Sequence, residues 1–287
     1  MKNKTENEDR TVRRLYTSRA GRTLLKVLIR PEVSKVAGAF LASPLSRPMV
    51  SSYIRKNDID MTPFGEERYS SFRDFFVRYK ETDIKPVPGM LISPCDSLLE
   101  CFPIGRHSKF RIKGSEYRVS DLCGGSLHAE EFTGGICLVF RLQASDYHHY
   151  CFCDSGTHSG HKFIPGSLHS VQPVCLENYP VFTLNRRVCT MLETEHFGRV
   201  MQTEIGALVV GKIVNIHHRG RFSQGEEMGH FEPTGSTITL LLKKDSFELL
   251  PELAEAWERE IPVKMGQPVG TAPGMKQTAE KEKAGEV

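Results

Sequence analysis

Long apolar runs are missing from this sequence. No stretch approaches the ~18 to 20 uninterrupted apolar residues that a membrane span requires, and the N-terminus has no short apolar run ending in a small-residue cleavage site. The expectation is a cytoplasmic protein that meets membranes only from outside. CxxC pairs are missing too. The eight cysteines (Cys95, Cys101, Cys123, Cys137, Cys151, Cys153, Cys175, Cys189) are scattered, and several sit in apolar runs such as "GGICLVF", which predicts reduced thiols packed as small hydrophobes. No internal repeat is visible, which argues against a solenoid.

What is present is an ordinary globular composition: 287 residues, 39% hydrophobic, enough for one substantial core or two small ones. The formal charge of +3 is unevenly spread. Residues 1–56 hold thirteen Lys/Arg against four Asp/Glu, and so basic an end points to an anionic surface as partner.

Between Arg19 and Val50, Leu24, Leu25, Leu28 and Ile29 recur at helical spacing. Val33, Val36, Ala37, Phe40 and Leu41 do so after Pro31, which suits a helix's first turn. Two amphipathic helices follow from this, with Arg19, Arg22, Lys26, Arg30 and Lys35 placed to meet lipid headgroups, or with the apolar face packed on the core. "YSSFRDFFVRYK" (69–80) predicts a further short helix, capped by Ser70 or Ser71, with Phe72, Phe75 and Phe76 on one face.

From Met90 to Leu250 the texture changes to short β-branched and aromatic segments such as "ICLVFRL" and "STITLLL", broken by Gly, Pro, Asn and Asp. The expected fold class is α+β, with N-terminal amphipathic helices followed by a mainly antiparallel, barrel-like β core. The expected organisation is a basic helical region (1–85), a β-rich domain (86–264) and a disordered tail (265–287), whose charged, Gly- and Pro-containing sequence has little to bury.

The chemistry concentrates in three places, in the order Asp, His, Ser: Asp96 in "LISPCDSLLE", the stretch "DYHHYCFCDSG" (146–156), and Gly235-Ser236-Thr237 at the mouth of an apolar strand. Singly, each has a bland reading, since Asp, Gly and Ser are the usual turn residues and histidine is often just a satisfied polar group. A metal site from His148, His149, Cys151 and Cys153 has suitable donors, but strand alternation splits them between two faces and the spacing is no standard zinc motif, so the expectation is no metal. His169 in "IPGSLHSVQP" can line the cavity or merely pack.

Taken with "SFRDFFVR", "FRIKGSEY", "LNRRV", "EIGALVVGKI" and "GEEMGHFEPTGST", these segments make the chain resemble the pyruvoyl-dependent phosphatidylserine decarboxylases, from about residue 15 to residue 243. The resemblance implies a proenzyme that cleaves itself between Gly235 and Ser236. Ser236 Oγ attacks the Gly235 carbonyl, the amide becomes an ester, and β-elimination followed by hydrolysis leaves a pyruvoyl group on residue 236. That group forms a Schiff base with the substrate amine and takes up electrons as carbon dioxide leaves, so no external cofactor is implied. The resemblance further implies phosphatidylserine as substrate, peripheral contact with an anionic membrane and a homodimer. It gives Asp96 the role of orienting the self-cleavage base and the Tyr147-His148 pair a role in decarboxylation. The family's Tyr-His-x-x-His becomes here Tyr147-His148-His149-Tyr150-Cys151, which puts Cys151 at the position of the histidine base. A thiol of ordinary pKa ~8.5 is a poorer base near neutrality. His149, on the same strand face as residue 151, is the alternative, and both stay open. Two rival readings also stay open: a pyruvoyl decarboxylase of a soluble amino acid, and an unprocessed, non-enzymatic β-rich binding module.

Overall fold

The structure is a computed structural model, and it describes residues 12–65, 68–125, 129–177, 179–208, 211–233 and 235–274. The chain opens with helices. α1 (Arg19–Leu28) is capped by Ser18, whose Oγ accepts the Gly21 N–H at 2.9 Å. α2 (Pro31–Ala42) begins, as expected, with proline in its first turn. α3 (Met49–Asn57) ends where Asp58 turns left-handed at φ 54°. α4 (Phe72–Phe76) has the expected cap, Ser71 Oγ accepting the Asp74 N–H at 3.1 Å, and buries all of Phe72, Phe75 and Phe76 against Leu41, Val50 and Ile59. No helix among the described residues is long and apolar enough to cross a membrane.

The strands are β1 (Met90–Ile92), β2 (Ser97–Pro103), β3 (Lys109–Ile112), β4 (Ser115–Arg118), β5 (Ile136–Leu142), β6 (His149–Cys151), β7 (Gly156–His158), β8 (Lys162–Ile164), β9 (Arg187–Thr194), β10 (Gly198–Gly206), β11 (Ile213–Asn215), β12 (Gly220–Phe222), β13 (Glu227–Phe231), β14 (Ser236–Leu242), β15 (Glu248–Leu249), β16 (Ile261–Val263) and β17 (Pro268–Thr271). The largest sheet runs β12-β7-β9-β10-β14-β5-β2-β16, with β8 beside β9, and its pairings are antiparallel. β14 lies in the middle, and all seven of its residues are buried, so "STITLLL" shows no alternation between buried and exposed positions.

Each face of that sheet carries a core. Leu99, Phe140, Ile238 and Leu240 point towards the small sheets β11-β13-β6 and β1-β17-β15. Val139, Met201, Ile205 and Leu241 point the other way, to the β3–β4 hairpin, and Tyr16 and Leu25 of the N-terminal region join them there.

Two expectations need correction. The sheet is mixed with helices and antiparallel as expected, but it is an open path and not a closed barrel among the described residues. Its ends explain why: β12 is only three residues long, and β16 carries Pro262, which has no N–H to extend a ladder. The chain beyond residue 264 is also not irregular throughout. Pro268–Thr271 forms β17 between β1 and β15, with Val269 fully buried, so one apolar side chain and two partner strands order a segment whose composition gave little sign of it. The rest of the expected tail, 275–287, and the first eleven residues lie outside the described residues. All eight cysteines are free and buried.

Candidate active site

"DYHHYCFCDSG" begins as a turn and becomes β6. Asp146 closes the turn, its Oδ2 accepting the Gln143 N–H at 2.7 Å, and burial, with Asp96 among the nearby charges, raises its pKa. His148 is fully buried with its ring 4.2 Å from that of Phe76. Its Nδ1 lies 2.9 Å from the Asp146 carbonyl, which can only accept, so a proton sits on Nδ1.

On β6 the side chains alternate. Tyr150 enters the core between the sheets, while His149 turns outward to the segment that follows α4. The His149 ring is flanked by Tyr147, stacked at 4.6 Å, and by His230 of β13 at 4.9 Å. Its Nδ1 lies 2.6 Å from Glu227 Oε1 and its Nε2 3.1 Å from the Val77 carbonyl. Cys151 is buried, its backbone N–H donates to the Pro94 carbonyl at 2.9 Å, and burial pushes its thiol up to about 12.

Asp96 precedes β2 and is buried. Its Oδ1 accepts the Met265 N–H at 2.9 Å and its Oδ2 lies 3.2 Å from Lys264 Nζ. Met265 lines a cavity of about 200 Å³ together with Tyr79, Lys80, Tyr147, His149, Cys151 and Glu227. His149 and Cys151 thus share one small cavity wall, to which Asp96 is linked through Met265. A larger cavity, about 670 Å³, is lined by Cys123, His158, His161, Lys162, Cys189 and Arg199 among others, and includes none of the site residues expected from sequence.

Ser236 opens β14. Gly206 of β10 and Leu142 of β5 pair with it. The hydroxyl is fully buried and has no hydrogen-bond partner among the described residues, whereas Gly235 is exposed. A side chain added at Gly235 would first meet Val171 Cγ2 at 3.6 Å and Ala207 Cβ at 4.0 Å, so "IPGSLHSVQP" and the end of β10 flank the Gly235–Ser236 peptide. Asn185, quoted from "LNRRV" but given no role by the sequence, holds that arrangement. Its Nδ2 donates to the carbonyls of His169 at 2.7 Å and Gly206 at 2.8 Å, and its Oδ1 accepts the His169 N–H at 2.8 Å. His169 itself stacks on Tyr179 and lies 3.4 Å from the Tyr16 hydroxyl.

The register fixes how Asp96 relates to Ser236. Leu98 and Thr237 flank Arg141 from opposite sides, so Asp96 and Ser236 lie at the same end of the sheet with β5 between them. Two strand spacings separate their backbones by on the order of 10 Å. Direct contact is out of reach for an aspartate, and any influence passes through an intervening group.

Two partners escaped sequence reasoning. Glu227 was unremarkable within "GEEMG", and its link to His149 spans 78 positions. Glu204, within "EIGALVVGKI", is fully buried beside Gln202. It shares a sheet face with Ser236, since Glu204 pairs with Ile238, two residues along β14.

Comparison with known proteins gives a consistent result. A family model described as phosphatidylserine decarboxylase matches residues 72–271. Phosphatidylserine decarboxylase proenzyme 2 of Clostridium acetobutylicum is 37% identical over 262 residues, which cover 89% of this chain and 90% of that protein. A phosphatidylserine decarboxylase proenzyme of Clostridium perfringens is 35% identical, covering 89% and 90%, and one of Clostridium novyi 33% identical, covering 92% and 93%.

Proposed function

The chain belongs to the phosphatidylserine decarboxylase family, and from that premise we propose that it is a self-processing proenzyme whose mature form converts phosphatidylserine to phosphatidylethanolamine and carbon dioxide. The observation that carries the reading is Ser236: a fully buried hydroxyl with no hydrogen-bond partner among the described residues, directly after an exposed glycine, at the first position of the central strand. A buried hydroxyl left unbonded is costly, and reaction with the neighbouring carbonyl gives it a use.

In the proposed self-cleavage, Ser236 Oγ loses its proton to a base and bonds to the Gly235 carbonyl carbon. The C–N bond breaks to give an ester and a free Ser236 amine. Removal of the Ser236 α-proton then expels Gly235 as a carboxylate, and water replaces the resulting imine nitrogen, which leaves as ammonia. Residues 1–235 and 236–287 become separate chains. Of the two candidates for the base, His149 is favoured over Cys151, because a thiol pushed up to about 12 is protonated near neutrality. Asp96 holds the backbone of Met265, which lines the same cavity, and is assigned an orienting role.

The residues fit a pyruvoyl group at position 236, since its precursor side chain is sealed from water by the sheet face. Such a group supplies the electron sink for loss of the carboxylate. The chain's own part in that step falls to His148, an imidazole fixed by the Asp146 carbonyl and the Phe76 ring, which is assigned delivery, from Nε2 once that nitrogen has taken up a proton, of the proton that replaces the carboxylate. Peripheral attachment to anionic membranes through α1 and α2, and pairing of processed protomers as a homodimer, complete the proposal. It is supported on the membrane side by exposed Leu24, Val27, Val36 and Phe40 beside the basic residues of these helices.

The test is the intact mass of purified protein. Two chains divided at 235/236, the smaller blocked at its N-terminus, are expected, with Ser236→Ala whole and inactive. An unblocked Ser236 amine, or a cut elsewhere, rejects the mechanism; activity on soluble serine analogues but not on lipid vesicles rejects the substrate.

A further inference from the structure

The 2.6 Å approach of His149 Nδ1 to Glu227 Oε1 calls for a proton or a metal ion at that pair. Because the Val77 carbonyl can only accept, the 3.1 Å contact at Nε2 places a proton there. In the neutral ring, the Nδ1 lone pair then faces a carboxylate oxygen at 2.6 Å. Two acceptors that close together repel unless positive charge lies between them.

A third donor stands beside them. His230 pairs with His149 across β6 and β13, and one atom each from His149, Glu227 and His230 lies within 4.8 Å of the others. We propose that His149 through Nδ1, Glu227 and His230 bind one divalent cation of the zinc class.

Zinc bonds of about 2.0–2.2 Å in tetrahedral array need donors about 3.4 Å apart, a modest rearrangement of side chains within a 4.8 Å cluster. The orienting contact that such sites use is already present, for the His149 ring nitrogen away from the cluster is tied to a backbone carbonyl. Two imidazoles and one carboxylate suit zinc and its neighbours better than calcium or magnesium, which prefer oxygen alone. The 200 Å³ cavity lined by His149 and Glu227 gives room for water in a fourth position. These ligands differ from the His148, His149, Cys151 and Cys153 set considered from the sequence: they come from two paired strands and share one face.

A lone proton is the other possible occupant, and binding measurements separate the two. The full-length chain is stripped with a chelator, dialysed against zinc and assayed for bound metal, with cobalt as a spectroscopic substitute. One zinc per chain is expected, with affinity at least tenfold lower in Glu227→Gln and His230→Gln. Cobalt should give visible bands unlike those of the aqueous ion. Substoichiometric zinc in the parent chain, undiminished binding in both variants, or a cobalt spectrum identical to the aqueous ion overturns the site. The parent-chain measurements stand even if a variant fails to fold. Because no turnover is read, the result is independent of the decarboxylase reading.

Discussion

Asn185 donates to the Gly206 carbonyl at 2.8 Å, and Gly206 is the residue that pairs with Ser236 across β10 and β14. The same amide group binds both backbone polar groups of His169, so one fully buried side chain sets the segment flanking Gly235 against the strand that holds Ser236. Asn185→Ala leaves three buried backbone groups unpaired, each worth about 1–3 kcal/mol. A fall of several kcal/mol in unfolding free energy is expected by urea titration, and slower self-cleavage by mass against time. An unchanged cleavage rate in a destabilised variant would show that the clamp serves stability alone.

The residues of β6 make separable forecasts. His148→Ala should still process, at least partly, yet lose decarboxylation, since its assigned work follows cleavage. His149→Ala should slow processing, measured with a chelator present so that metal plays no part. Cys151→Ala should process at the parent rate, because its thiol is protonated near neutrality. Cys151→His should cleave as fast or faster, at a cost of about 1–3 kcal/mol for overfilling a buried site. Processing that stops in Cys151→Ala sinks the assignment of His149.

Glu204 predicts a pH dependence of stability. Burial pushes its carboxyl from 4.5 up to about 8, so between those values the folded chain holds a proton that the unfolded chain has released. Stability from this group is therefore fully present below about pH 4.5 and lost as pH rises towards 8, at up to roughly 1.4 kcal/mol per pH unit. Glu204→Gln should flatten the urea midpoint between pH 5 and pH 8 relative to the parent. An equal slope in both would mean that Glu204 is ionised inside the fold.

Membrane attachment through α1 and α2 makes the fourth forecast. Replacing Arg22, Lys26 and Arg30 by Gln should weaken sedimentation with anionic vesicles by roughly 1 kcal/mol per residue, less as salt rises. Leu24 is 54% and Val36 73% exposed, so serine at both should weaken binding at any salt concentration. Vesicle binding unaffected by either set rules out this surface.

How much the sequence revealed depends on how far apart the interacting residues lie. Ser71, Asp74 and the phenylalanines of α4 fall within one turn or two, and cap and stripe were both legible. The strands showed in their β-branched and aromatic runs. Sheet closure did not, since it depends on which strands end up at the edges, and nothing in "IPV" announces β16 as a terminus until its pairing with β2 is known. In the candidate site, residue types were readable and partners were not. Asp96 meets Met265 169 positions away, and His149 meets Glu227 only because β6 and β13 pair. The strand alternation that set His149 and Cys151 on one face was sound, but it could not show that a carboxylate and a carbonyl already engage both nitrogens of that ring.

The position of β14 decides the order of events in this molecule's life. It lies between β10 and β5, while β16 and β17, further along the same C-terminal stretch, complete β2 and β1. A cut before Ser236 therefore frees a fragment woven into two sheets, with three strands hydrogen-bonded to the larger piece and the whole of β14 buried. The pieces cannot part without dismantling the core, so they should co-purify without any covalent bond between them. Nor could they readily find each other if made separately, because the slot for β14 is the middle of a sheet that would first have to assemble without it. Being translated as one polypeptide is thus what threads the small fragment into place, and folding must come before the cut.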